Sequence, residues 1–474
     1  MIRVWAIARQ MIAEAIRMRV AVAFLVLLGL LLLGLPFAEG DGTLTGRVQA
    51  LLTYTLSATL IVVSLVTIFL GCGSVANEIR DRQVHTIACK PIPRWQYVFG
   101  KWLGIVVFDF ALLVAAGLVI YASIFILKHR PQYDEQARRD LRNQVLTARF
   151  PMQPTKPDFN QIVEQQFQRL REKGPLPELV ADPEHTRTTL PGTTENIKKS
   201  LKYKIERQWM RLRPGESRTY LFENLLIDRK PDKRIYVRYN VVPEHLPPEL
   251  ILRFGWTVGD RSKGASAYPI PRRDAVERFH EIEVPATAVA SDQTVAVTFH
   301  NFDILTGTVD YPTAVSLGGK GSIEVLFAVG TFEGNLARAL GIILCILIFL
   351  AAFSVFTSTW LSFPVACLVT VFVWVTGVSL GFLSESVMAL PSTNTGEEFT
   401  GTILVLLKPF GMFILWMMPD FAQFSPVGLI ADGRVVTLVR LLNAIGNLVL
   451  FKGVLVGLIG AVIYQNRELA QVTA

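Results

Sequence analysis

The sequence predicts a polytopic α-helical membrane protein of six spans, with a mainly-β domain, an antiparallel sandwich or jelly roll, inserted between the third and fourth. Three observations carry this expectation. Of 474 residues 51% are hydrophobic and only 18% charged, and the apolar residues are unevenly distributed. Six runs, 20–38, 51–76, 103–127, 339–360, 364–383 and 442–464, each reach the roughly 20 residues that cross a bilayer core as a helix. Between the third and fourth runs lies a polar stretch, 128–335, whose second part alternates in the manner of strands.

Residues 1–127 hold the first three spans. Before them, Arg3, Gln10, Glu14 and Arg17 share one side of a helical wheel, and Trp5, Ala8, Ile12, Ala15 and Ile16 the other. That is the pattern of a helix lying in the membrane interface, an elbow that feeds the first span. Pro36-Phe37-Ala38-Glu39-Gly40 resembles a signal-peptide cleavage region, but the apolar run is longer than a signal core and follows a long helical approach, so an uncleaved span is expected.

The net charge of +8 reports topology rather than nucleic-acid binding. Arg3, Arg9, Arg17 and Arg19 precede the first span, and Arg80, Arg82, Lys90, Arg94 and Lys101 lie between the second and third, whereas loop 39–50 carries only Arg47. The positive-inside bias puts the N-terminus and loop 77–102 in the cytoplasm of a bacterial plasma (inner) membrane, and six spans bring the C-terminus back there. Residues 128–335 are then extracytoplasmic.

The inserted domain begins with a polar, helix-containing part, 128–210, with helical stretches at 159–173 and 194–210. In 211–335 strand-like runs occupy 217–226, 234–241, 249–258, 278–284, 294–300 and 322–329, divided by turn signals such as Pro231-Asp232 and Gly318-Gly319. None of the four cysteines, Cys72, Cys89, Cys345 and Cys367, falls in this segment, so it has to fold without disulfides. Tyr220, Tyr236, Tyr239 and Trp256 invite a ligand platform, although alternation in strands more often buries such residues. His280, Glu281, Glu283 and His300 are read as surface positions, and neither a metal site nor a cofactor is expected.

Residues 336–474 hold spans four to six. Thr359 to Pro364 makes a tight hairpin between the fourth and fifth, and the apolar segment 400–420, broken by Lys408-Pro409, is expected to be re-entrant or interfacial. Asp109 and Lys452 are the intramembrane charges. Their depths differ by roughly 8 Å at ~1.5 Å per residue, so a salt bridge between them needs a long reach, and both a gating role and simple structural pairing are open. Gly453, Gly457, Gly460 and Ala461 form a small-residue face for helix packing.

The charged insert 77–104 is the most specific feature. Glu78 and Arg82 are four residues apart, with Ile79, Val84 and Ile87 available to line an opposite side, so 78–88 reads as a short amphipathic helix. Lys90-Pro91-Ile92-Pro93-Arg94 stops it, and Trp95, Tyr97, Lys101 and Trp102 form a basic and aromatic belt. With an elbow helix before the first of six spans, this arrangement resembles the permease subunits of ABC transporters, in their type-2 exporter class. Asn77-Glu78-Ile79-Arg80-Asp81-Arg82, the Lys90-to-Arg94 turn, Gly100-Lys101-Trp102-Leu103-Gly104, Pro419-Asp420-Phe421-Ala422-Gln423-Phe424 and Asn466-Arg467-Glu468-Leu469 look like permeases grouped with multicopper-enzyme maturation systems. The large insert departs from the minimal family pattern.

The resemblance implies a coupling helix, 78–88, seated in a groove of a separate cytoplasmic ABC ATPase. Glu78, Arg80, Asp81 and Arg82 would make its polar contacts, Ile79 and Val84 its apolar anchors, with His85, Lys90 and Arg94 beside them and Pro91 and Pro93 stiffening the turn. It also implies a second permease chain as partner. No Gly-x-x-x-x-Gly-Lys-Ser/Thr phosphate loop occurs, so the chain is not expected to hydrolyse ATP itself. The competing reading is a non-transporting scaffold or signal transmitter whose β-domain binds an extracytoplasmic partner.

Overall fold

The computed structural model describes residues 2–34, 43–80, 93–172, 179–181, 189–191, 194–227, 229–230, 233–317, 321–388 and 398–466. Two compact units emerge from the contacts: Met1–Ala148 with Gly330–Ala474, which is helical, and Arg149–Val329, which is strand-rich.

The helical unit contains four continuous helices long and apolar enough to cross a bilayer, Leu44–Glu78, Arg94–Lys128, Phe332–Ser358 and Leu438–Asn466. Three further pairs pass the same test but are bent: Arg3–Arg17 with Ala21–Gly34 by 68°, Phe363–Val378 with Leu380–Met388 by 66°, and Leu407–Met417 with Phe421–Ala431 by 45°. Against the six spans expected, four continuous helices are long and apolar enough by themselves, and up to seven segments are if each bent pair is one span. The first and fifth expected spans lie in bent pairs. Segment 400–420 opens the third, with Pro409 inside the helix Glu398–Met417, where the ring removes a backbone donor and crowds the preceding turn.

The core of this unit is built by Val48, Leu52, Val63, Leu113, Ile120, Ile343, Leu347, Leu350 and Leu448, all nearly inaccessible. Burying a side chain of this size is worth about 1.5–3 kcal/mol. Leu141 and Val145 belong to the same core. Leu141 lies in the helix Glu135–Gln144 and Val145 is its C-cap; the start of the helix is capped by Asp134 accepting from the Ala137 amide. Residues 128–148 therefore go with the helices and not with the insert, whose compact part is narrower than 128–335.

The strand-rich unit is a sandwich of two four-stranded sheets. One has the order Thr147–Met152, Ile323–Thr331, Arg234–Asn240, Phe279–Pro285, and the other Ser217–Phe222, Val295–His300, Ile251–Val258, Tyr268–Ala275. Pairing is antiparallel across Phe279–Pro285 with Arg234–Asn240, with Tyr239 opposite both His280 and Ile323. In the second sheet Phe299 faces Trp256. The strict alternation of Val295–His300 buries Val295, Val297 and Phe299, because successive side chains leave a strand on opposite faces. Tyr239 of one sheet and Trp256 of the other approach to 4.7 Å between ring centroids, closing the core.

All six expected strands are present. The two full strands that alternation did not reveal, Thr147–Met152 and Tyr268–Ala275, each lie at a sheet edge and carry prolines, Pro151, Pro269 and Pro271. Proline interrupts a strand pattern in sequence yet is tolerated where one side of the strand has no ladder to complete. The helices Phe159–Glu172 and Thr194–Met210 fall where helical stretches were expected, packed through Phe159, Val163 and Ile205.

Candidate functional site

The two described ends of the charged insert meet in an ion triad, buried at Lys101 and Glu78 and 35% exposed at Glu14. Lys101, 1% exposed, donates to Glu78 Oε1 at 2.8 Å and to Glu14 Oε2 at 3.0 Å. Three elements meet there: the amphipathic helix Ile2–Arg17, the end of Leu44–Arg80, and the start of Arg94–Lys128. A cation between two carboxylates leaves one negative charge in excess, and Glu78 Oε2 is buried with no hydrogen-bond partner.

Small residues bring the amphipathic helix this close. A Cβ on Gly104 would lie 2.7 Å from both Ala8 O and Met11 Cβ, and one on Gly100 would lie 2.8 Å from Ile7. The helix Ile2–Arg17 accordingly buries Ile7, Ala8, Met11 and Ala15, while Trp5 and Ile16 stay exposed. Of the apolar side expected to lie in the membrane interface, Ala8 and Ala15 pack on protein while Trp5 and Ile16 stay exposed, and Glu14, from the polar side, reaches Lys101 while keeping 35% of its side chain exposed. The last helix is tied in as well. Arg94 Nη1 donates to the Tyr464 and Gln465 carbonyls at 3.2 and 2.9 Å, a cation on the negative end of a helix, and Tyr97 stacks on Tyr464.

Glu78 was expected on the polar face of a separate short helix. Instead Glu78, Ile79 and Arg80 are the last described residues of Leu44–Arg80, and Glu78 is 6% exposed with its Oε1 on Lys101. Arg80 is exposed and lines a cleft of about 240 Å³ with Leu361 and Pro364 of the tight hairpin. Pro93 sits at the N-cap of Arg94–Lys128. Asp81, Arg82, Val84, His85, Lys90 and Pro91 lie outside the described residues. Lys101 and Glu14 were missed as site residues; the signal was a lysine between two glycines, Gly100 and Gly104, in the turn of the helix that follows the insert.

The intramembrane charges do not pair. Thr67 Oγ1 lies 2.9 Å from Asp109 Oδ2, and Asp109 Oδ1 is buried without a partner. Lys452 Nζ donates to the Met418 carbonyl, within a stretch of π-helical winding, Ile445–Gly453. A long-reach Asp109–Lys452 bridge is therefore not formed.

No protein-family model, curated protein or solved structure matches this chain.

In the strand-rich unit, Tyr220, Tyr236, Tyr239 and Trp256 are all buried, none more than 4% exposed, and so build the core and no ligand platform. Tyr239 Oη donates to Asp274 Oδ2 at 2.5 Å, and Arg272 grips the same carboxylate through Nε and Nη2, both at 2.8 Å. Burial pushes the Tyr239 phenol well above its ordinary range, and the Asp274 carboxylate adds to this. Glu281 pairs in fork geometry with buried Arg149, Glu283 with Arg234, and His280 contacts the Ala275 carbonyl. No metal-binding cluster of His, Cys, Asp or Glu exists among the described residues.

Proposed function

We propose that this chain is the membrane-spanning permease subunit of an ATP-driven ABC transporter, of the exporter class, working with a separate cytoplasmic ATPase and a second permease chain. Its setting in this reading is a bacterial plasma membrane, with both termini cytoplasmic and the strand-rich unit extracytoplasmic. The observation that carries the proposal is the Glu14–Lys101–Glu78 triad beside segment 81–92.

A segment that receives motion has to hand it to the spans through a stiff joint. Glu78 ends one long apolar helix and Lys101 lies in the first turns of the next, so a push on the residues between them loads both helices at once. Glu14 couples the interfacial helix to the same point, and Arg94 the last helix. Buried, hydrogen-bonded charge is well suited to this, since opening such a pair without its partner costs about 3–5 kcal/mol.

The test is purification of the tagged chain in mild detergent from membranes of cells that encode it. The expected result is a co-purifying ATPase with a phosphate-binding loop and measurable ATP hydrolysis, both lost in the double variant Arg82→Glu, Lys90→Glu while the chain itself remains inserted. Retention of the ATPase by that variant would remove 81–92 as the docking element. Hydrolysis without substrate movement in reconstituted vesicles would favour the non-transporting signal transmitter.

A further inference from the structure

The last apolar helix carries a polar stripe that the coupling reading leaves unused. Arg440, Asn443 and Asn447 are spaced three and four residues apart, so they share one face, and they line a cleft of about 740 Å³ together with Gln423 and Thr437. Arg440 donates to the Gln423 carbonyl. Its Nε is buried without an acceptor, and no carboxylate among the described residues lies within ion-pair distance of it. Asn443 and Asn447 are exposed, and Leu438, Val439, Leu442 and Leu450 around them are exposed and apolar.

We propose that this face binds the head and backbone of an anionic glycerophospholipid. An arginine in an apolar helix without a counter-charge calls for an anion, and the fork of guanidinium donors fits a phosphate. The helix begins at Leu438 and is capped by Thr437 accepting from the Arg440 amide, so its positive end adds to the preference. Asn443 and Asn447 lie about 4.5 and 10 Å further along the axis, at ~1.5 Å per residue. Amide donors at those depths meet the ester carbonyls of a lipid whose phosphate is at Arg440, and the exposed leucines and valine meet its acyl chains. A second copy of the chain on the same face is disfavoured, because two-fold packing of this stripe brings Arg440 towards its symmetry mate. The inference rests on the helices lying in a bilayer and is independent of coupling to an ATPase.

The experiment uses the full chain, delipidated in neutral detergent, and follows its thermal unfolding and lipid binding by native mass spectrometry. Phosphatidylglycerol is expected to bind and stabilise more strongly than phosphatidylcholine, and millimolar inorganic phosphate to do neither. Arg440→Gln should weaken phosphatidylglycerol binding roughly tenfold or more, the loss of a charge-assisted bond, and erase the preference over phosphatidylcholine. Asn443→Ala with Asn447→Ala should weaken both lipids together. Equal binding of the two lipids by the native chain, or an unchanged preference in Arg440→Gln, would overturn the proposal. So would full protection by inorganic phosphate, which assigns the cleft to a soluble anion, or dissociation of a dimer by Arg440→Gln, which assigns it to a second copy. If Arg440→Gln failed to insert, Arg440→Lys should retain phosphatidylglycerol preference at reduced strength. Co-purification of an ATPase with any of these variants is a separate readout and tells a failed lipid site from a failed permease assignment.

Discussion

Lys101 Nζ lies 2.8 Å from Glu78 Oε1, joining the end of one apolar helix to the start of the next across the charged insert between them. The pair is nearly inaccessible, at 1% and 8% side-chain exposure. Its removal is therefore expected to register in stability before it registers in docking.

Lys101→Ala should lower the stability of the detergent-purified chain by about 3–5 kcal/mol, the range for leaving a buried charge without its partner. Glu78→Gln in the Lys101→Met background should recover most of that loss, since the charge left behind, on Glu14, is 35% exposed and keeps its access to water. Thermal unfolding followed by intrinsic fluorescence gives both values. A loss below about 1 kcal/mol for Lys101→Ala would show the triad to be hydrated.

Gly104→Val places a branched side chain where even a methyl group would meet Ala8 O and Met11 Cβ at 2.7 Å. Overpacking of this kind costs about 1–3 kcal/mol. The helix Ile2–Arg17 should detach from Arg94–Lys128, and cysteine accessibility at Met11→Cys, silent in the native chain, reports it. Continued protection of that cysteine would mean that the helices part locally without separating.

Asp109→Asn should leave stability unchanged or raise it by up to about 1 kcal/mol. Thr67 has a single hydroxyl proton and two acceptors in range, Val63 O at 2.8 Å and Asp109 Oδ2 at 2.9 Å. An amide donor in place of the carboxylate satisfies both at once. Should the stable Asn variant lose substrate movement in vesicles, the carboxyl group belongs to the transport path; full movement makes it structural.

A fragment covering residues 147–331 is expected to fold alone, indifferent to reductant, with a circular dichroism spectrum rich in strand. Its stability should fall at mildly acidic pH. His300 contacts the hydroxyls of Ser217 at 2.7 Å and Thr257 at 2.9 Å, and burial holds its pKa below the ordinary value of 6.5. The unfolded chain therefore takes up the proton first. Stability from this residue is complete above about pH 6.5 and declines as pH falls from there through the lowered folded value. Denaturant midpoints between pH 8 and 5 test this, and His300→Gln should flatten that part of the profile.

Much of the fold was legible because its signals are local. Apolar runs of span length, the alternation in Arg234–Asn240 and Val295–His300, and the helices at 159 and 194 depend on neighbours in the chain. What stayed hidden depends on tertiary partners. Tyr268–Ala275 is broken by prolines in sequence until it takes a sheet edge, and the bends after Arg17 and Val378 leave no proline at the break. At the candidate site, Glu78 looked like surface because charge in a loop usually is. Only the three-dimensional structure shows that Glu78 still belongs to the long helix Leu44–Arg80 and that its carboxylate meets Lys101.

The winding of Ile445–Gly453 has a mechanical corollary. Each residue passed through an α-helix turns it by about 100° and advances it ~1.5 Å, whereas i→i+5 bonding holds more residues per turn. The final helix is thus a screw cut with two threads. Tightening the looser thread by one residue would swing Lys452, Gly457 and Gly460 around the axis relative to Arg440, a twist that spin-label distances between positions 442 and 458 would register.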